Sequence, residues 1–145
     1  MFFDDMPVGK TYETGSKTLT EEAIVTFAKE WDAQPFHIDR AAAEQSVYGG
    51  LIASGFHTIL TAFNLTLAAS DWSESSMGSP GLENVRWIKP VYAGDTLMVK
   101  AEVVGAKESR SKPDRGFVDV QYDIYNQDEV KVASYLSTHM LKKRG

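Results

Sequence analysis

The sequence has no cysteine, which excludes disulfides, thiolate catalysis and zinc sites built on sulfur. Its three histidines stand far apart, as His37, His57 and His139. No His-x-x-x-His pair and no carboxylate pair at ligand spacing occurs, so no metal site is expected. Gly-x-Gly-x-x-Gly and phosphate-loop patterns are missing too, and no nucleotide cofactor is expected. Positive charge is in short supply: 15 Lys and Arg face 20 Asp and Glu, a net charge of −5. Neither nucleic acid nor an anionic membrane surface is therefore an expected partner. The opening MFFDDMPVGK carries acidic residues where a signal peptide would be basic. A cytoplasmic location is the expectation.

One long stretch, Gln45 to Ser70, holds no Asp, Glu, Lys or Arg. A membrane span needs about 20 predominantly apolar residues, whereas this run carries three glycines, several hydroxyls, an asparagine and a histidine. It reads as a buried helix with its approach. With 145 residues, 43% apolar and 24% charged, the chain is expected to form a single domain over residues 1–145. That size buries roughly 70% of the unfolded surface.

Phe2 to Thr18 reads as a loop and a first strand, with Pro7 and Gly9 as breakers, and the rest of the first half has helical spacing. Thr18 or Thr20 can cap a helix with Glu21 and Glu22 in its first turn, where the dipole favours acids. Ile24, Phe27, Ala28 and Trp31 then share one face. Pro35 disfavours helix at Gln34, so the chain leaves the helix near Asp32. Asp39 caps a short turn through Ala41, Ala42 and Ala43, and Gly49-Gly50 breaks the chain again. From Gly55, the residues Phe56, Ile59, Leu60, Phe63 and Leu67 make a helix apolar nearly all round, which implies that other elements wrap it. Asp71 to Gly81 is a serine-rich polar loop, either a connector or a lid.

The second half alternates with period two. Val85, Trp87 and Val91 make the first strand of this half, followed by Leu97 to Val103, Val118 to Ile124, and Val130 to Leu141. The breaks fall at Ala93-Gly94-Asp95, at Lys107 to Arg115 and at Asn126 to Glu129. Four such strands imply an antiparallel meander with one buried face. The uncharged helix is the filler for that face, so the fold class is α+β.

Two features carry chemistry. Asp32-x-x-Pro35-x-His37 sets a carboxylate and an imidazole five residues apart across a proline bend. Such a pair can move a proton between water and carbon, or activate water. The alternative is that Asp32 caps a helix end while His37 merely packs. Ser54-Gly55 opens the long helix, whose first N–H groups lack internal partners and can hold an oxyanion. Glycine there lets a ligand approach the backbone, or else it serves close helix packing.

The segment resembles the hydratase motif of MaoC-like dehydratases, the (R)-specific enoyl-CoA hydratase group with the hot-dog fold. The family loop Asp-x-Asn-Pro-hydrophobic-His corresponds to Asp32-Ala33-Gln34-Pro35-Phe36-His37. Ile-x-His-Gly corresponds to Ile52-Ala53-Ser54-Gly55. Pro90-Val91-x-x-Gly94-Asp95 matches a segment before the later strands, and Asn126-Gln127 resembles the last hairpin. The resemblance implies a sheet wrapped around a long central helix and catalysis without a bound cofactor, coenzyme A entering only as part of the substrate. Asp32 and His37 would share the catalytic water, with Asp32 as base and His37 exchanging the proton beside the carbonyl. The Gly55 N–H would hold the enolate oxygen. The implied substrate is an enoyl or 3-hydroxyacyl thioester of coenzyme A or acyl carrier protein. The implied assembly is a homodimer or a larger assembly of dimers. Gln34 stands for the usual asparagine and Ser54 for the usual histidine, and both are taken as substrate-binding. Phe63 stands, in an ungapped reading, where relatives carry a serine.

Other residues have two readings each. His57, just inside the helix, can line the pocket or pack as a satisfied core histidine. His139 shares a strand face with Lys131 and Tyr135 and is expected at the surface. Lys107, Arg110, Lys112 and Arg115 are expected to form a solvated hairpin, although they, Arg86 or Lys89 could meet coenzyme A phosphates. Trp87 and Tyr92 are expected to pack in the sheet. Hydration of an enoyl thioester is the leading expectation, and thioester hydrolysis or acyl-thioester binding without turnover are its rivals.

Overall fold

Thr20 starts the first long helix by accepting a hydrogen bond from the Ala23 N–H at 3.1 Å. That helix, α1, spans Glu21–Trp31 and follows strand β1, Thr11–Thr18. The computed structural model describes residues Met1–Gly145. After α1 come two short helices, α2 at Pro35–Ile38 and α3 at Arg40–Glu44. Pro35 occupies the first turn of α2, where its missing N–H costs nothing. Asp39 caps α3 by accepting from the Ala41 and Ala42 N–H groups. The uncharged segment becomes α4, Gly55–Ala68. Four strands follow: β2 Gly81–Trp87, β3 Thr96–Glu108, β4 Arg115–Tyr125 and β5 Lys131–Lys142.

The sheet has five antiparallel strands in the order β1-β3-β4-β5-β2. This corrects the four-strand meander: β3, β4 and β5 form one, but β2 lies at the far edge beside β5. The chain must therefore cross the sheet between β2 and β3. Val91, assigned above to a strand with Val85 and Trp87, belongs to that crossing. Its carbonyl accepts from the Ala53 N–H (2.8 Å), and the Ala93 N–H donates to the Leu51 carbonyl (3.1 Å). The crossing thus pins the approach to α4 in place. Gly94, at φ +92°, makes the turn into β3 in a conformation other residues resist.

Period two sorts the long strands as expected. Leu97, Val99, Ala101 and Val103 on β3, with Val118, Val120, Tyr122 and Ile124 on β4, are almost fully buried. Ala62 and Leu65 of α4 join that core. The result is an α+β molecule in which the sheet curls around α4, the hot-dog arrangement. The wrapping is one-sided, however. Phe56, Leu60, Phe63 and Leu67 form a stripe along α4 that is 45–66% exposed. The sheet wraps α4 as expected but covers one flank only, and leaves this apolar stripe outside.

The Asp71–Gly81 loop is a connector tied to β5. The Met77 N–H donates to the Met140 carbonyl and the Met140 N–H to the Gly78 carbonyl, each at 2.9 Å. No helix is long and apolar enough to cross a membrane.

Candidate active site

The site begins where α1 ends. Asp32 is the C-cap of α1, with extended-side φ/ψ of −158° and 69°. Its carboxylate is turned toward the loop that Pro35 bends. Gln34 Nε2 donates to Asp32 Oδ1 at 2.6 Å. His37 sits in α2 and is 4% exposed. Its Nδ1 lies 2.7 Å from the Ile52 carbonyl oxygen. A carbonyl only accepts, so Nδ1 carries a proton and Nε2 is left for chemistry. Nε2 lies 3.3 Å from Asp32 Oδ2. The loop therefore brings acid and imidazole together as the spacing suggested, with the ring orientation locked from behind.

Burial pushes the Asp32 carboxyl up, but hydrogen bonding from Gln34, the nearby Ser54 hydroxyl and the His37 ring outweigh it, and the net effect holds the group below its ordinary value. The Ser54 hydroxyl is fully buried and forms no hydrogen bond within the chain, nor does it cap α4.

Gly55 is the first residue of α4. The first N–H of that helix bonded to the backbone is Thr58, to the Ser54 carbonyl at 3.1 Å. The Gly55, Phe56 and His57 amides find no acceptor within the chain, so three donors and the positive end of the helix converge here. The glycine also has a packing reason. A Cβ at position 55 would overlap the Trp87 indole. Trp87 ends β2 as a strand residue, but its ring is half exposed and stands edge-on to Phe56 with ring centroids 5.7 Å apart.

A cavity of about 450 Å³ collects these groups, with Asp32, Gln34, His37 and Gly55 on its wall. Phe36, Tyr48 and Trp87 supply apolar surface, and Lys89 is the one cationic side chain on it. Arg86 and the basic hairpin are not among the lining residues; Arg115 instead pairs with its neighbour Asp114 at 2.8 Å. Tyr92 supports the rim by donating to the Tyr48 carbonyl (2.8 Å).

Several expectations need correction. His57 does not line the cavity. It stacks on Phe27 of α1 with centroids 4.4 Å apart, and burial pushes its pKa down. At the third position of α4 its side chain points toward α1 rather than toward the dyad. Phe63 is also away from the cavity, because it faces the exposed stripe. Thr58, which sequence reasoning passed over, is buried on the cavity wall. Its spacing from Ser54, one turn, was the available signal. His139 is not a surface residue. It stacks on Trp72 (5.5 Å) and meets the Tyr122 hydroxyl at 2.7 Å, and burial pushes its pKa down to about 4.

Comparison with known proteins gives the family. A MaoC-like dehydratase from Rhodospirillum rubrum is 32% identical, with a TM-score of 0.93 over 100% of this chain and 99% of that one. Protein YdeM of Bacillus subtilis is 31% identical over 132 residues, covering 91% of this chain and 92% of its own length. A mesaconyl-CoA hydratase from Cereibacter sphaeroides is 37% identical over 87 residues, 59% of this chain, which spans only 25% of that enzyme's length. Residues 5–123 match the family model described as MaoC like domain. The chain belongs to the MaoC-like domain family.

Proposed function

We propose that this protein hydrates trans-2-enoyl thioesters, or dehydrates 3-hydroxyacyl thioesters, carried on coenzyme A or acyl carrier protein. The observation that carries the reading is the Asp32–His37 pair at 3.3 Å sharing one cavity with the unpartnered amides that open α4. In hydration, the Asp32 carboxylate takes a proton from water as the hydroxyl oxygen bonds to the β-carbon. The π electrons move onto the thioester oxygen, held by the Gly55 N–H. That proton passes from Asp32 across to His37 Nε2, which delivers it to the α-carbon and so restores the pair. Dehydration reverses each step. Gln34 orients the carboxylate, and the Ile52 carbonyl holds the imidazole tautomer.

The expected partner besides the thioester is a second copy of the chain. Strand β2 is hydrogen-bonded on one side only, and Leu82 and Trp87 on it are exposed beside the apolar α4 stripe. An open strand edge next to such a stripe suits burial against a copy of itself.

The test is turnover of a panel of enoyl-CoAs by wild type, Asp32→Asn and His37→Ala. The reading requires both variants to lose hydration while still binding a saturated acyl-CoA. Near-wild-type turnover by either variant would overturn the residue assignment. Release of free coenzyme A without hydroxyacyl product would indicate thioester hydrolysis instead.

A further inference from the structure

The proposed reaction uses one cavity, but α4 walls a second, of about 410 Å³, along its later turns. Ile59, Leu60, Phe63 and Leu67 form its helix side. Opposite them lies the inner face of the sheet, and there the lining is polar. Tyr135, Ser137 and His139 are alternate residues of β5, so their side chains point the same way into this space.

Each of the three presents a polar atom that the protein leaves without a partner. The Tyr135 hydroxyl is sealed from solvent and makes no hydrogen bond. Tyr135 itself is 2% exposed and Ser137 5%. The Ser137 hydroxyl has no acceptor or donor in the chain but is not walled off, so it opens to the cavity. His139 meets the Tyr122 hydroxyl through Nε2 at 2.7 Å, and Tyr122 meets the Tyr12 hydroxyl at 3.2 Å. Nδ1 of His139 is likewise open and unbonded. The Tyr12–Tyr122–His139 chain can run in either direction. Nδ1 therefore offers an N–H in one tautomer and a lone pair in the other.

Charge narrows what this floor can accept. No Lys, Arg, Asp or Glu lines the cavity, and burial keeps His139 neutral at ordinary pH. A carboxylate would be buried there without a cation, which is strongly unfavourable. A plain alkyl end would leave the Ser137 hydroxyl and His139 Nδ1, the two atoms open to the cavity, without a partner. A hydroxyl or carbonyl satisfies the floor.

We propose that the second cavity receives the far end of the substrate's acyl chain and selects one bearing a neutral hydrogen-bonding group, a hydroxyl or ketone. This inference rests on the proposed thioester chemistry, which fixes the carbonyl near Gly55. From there the carrier leaves past Lys89 and the acyl chain follows α4. Gly55 and Thr66 are eleven residues apart, about 16 Å at the helical rise, so a medium-length chain spans the two cavities.

The test measures binding of saturated medium-chain acyl-CoAs by calorimetry, in a series of lengths ending in methyl, hydroxyl or carboxylate. At the best length the hydroxyl-ended thioester is expected to bind on the order of tenfold tighter than the methyl-ended one, with the carboxylate weakest. Ser137→Ala and His139→Gln, checked for folding by circular dichroism, are expected to shrink that preference several-fold while turnover of a short enoyl-CoA stays at the wild-type rate. Equal or tighter binding of the methyl-ended ligand, or a preference that both variants retain, would overturn the proposal. Turnover of short enoyl-CoAs without end-group preference would leave the hydratase reading intact and defeat only this one. Selective binding of the hydroxyl-ended thioester with no turnover of any enoyl-CoA would do the reverse.

Discussion

The two cavities along α4 share a helix and differ in almost everything else. The first, at the N-terminal end, holds an ionised carboxylate, a tautomer-locked imidazole and unpaired amides. The second, along the later turns, holds only neutral hydroxyls and a neutral imidazole facing apolar helix residues. One is equipped to move protons and stabilise a developing negative charge. The other is equipped to recognise shape and a single polar group. The contrast teaches that a single helix can divide its labour by position. Its dipole and free N–H groups matter in the first turn only, while its side chains matter farther along.

Several substitutions would break or sharpen that division. Asp32→Asn should have the largest effect, lowering kcat by about a thousandfold, in the range of general-base contributions. The same change should leave end-group preference in binding untouched, which steady-state kinetics and calorimetry together would check. Next is acid stability. His139 is buried neutral with a pKa of about 4 against an ordinary 6.5. Between those values the unfolded chain takes up a proton that the folded chain refuses, so stability falls as pH drops through that window, by up to about 3 kcal/mol. His139→Gln should flatten this part of the curve in urea unfolding measured from pH 7 to pH 4.

Gly55→Ala should cost about 1–3 kcal/mol, because the new methyl meets the Trp87 indole. Adding Trp87→Ala should recover most of the lost Tm, which distinguishes packing from a backbone requirement. The smallest effect is expected from Gln34→Ala. Losing the 2.6 Å hydrogen bond lets the Asp32 carboxyl rise toward its ordinary value. A base is active when ionised, so the acid limb of the kcat/KM profile should move to higher pH.

How much of this was readable from residues alone follows from range in sequence. Asp32, Pro35, His37 and Gly55 were legible because capping, a proline bend and a helix start are local. Strand alternation placed Tyr122 and Val120 correctly for the same reason. The position of β2 was not legible, because strand order depends on where the chain crosses the sheet, and the Val91 segment that crosses has the composition of a strand. His139 was put on the right face with Tyr135, yet that face proved to be covered, since the Trp72 loop and α4 lie over it. The second cavity exists only because those three distant segments meet. Thr58 could have been found by counting one turn from Ser54. Trp87 could not, since its closeness to Gly55 joins residues thirty-two positions apart.

The central claim is that the first cavity adds water to a carbon–carbon double bond and leaves the thioester whole. The most direct measurement incubates the wild-type protein with a trans-2-enoyl-CoA in oxygen-18 water and reads the product by mass spectrometry. The account predicts a 3-hydroxyacyl-CoA carrying one heavy oxygen on the β-carbon, with no free coenzyme A. Heavy oxygen in a released carboxylic acid, or saturable binding with no product across the panel, would contradict it.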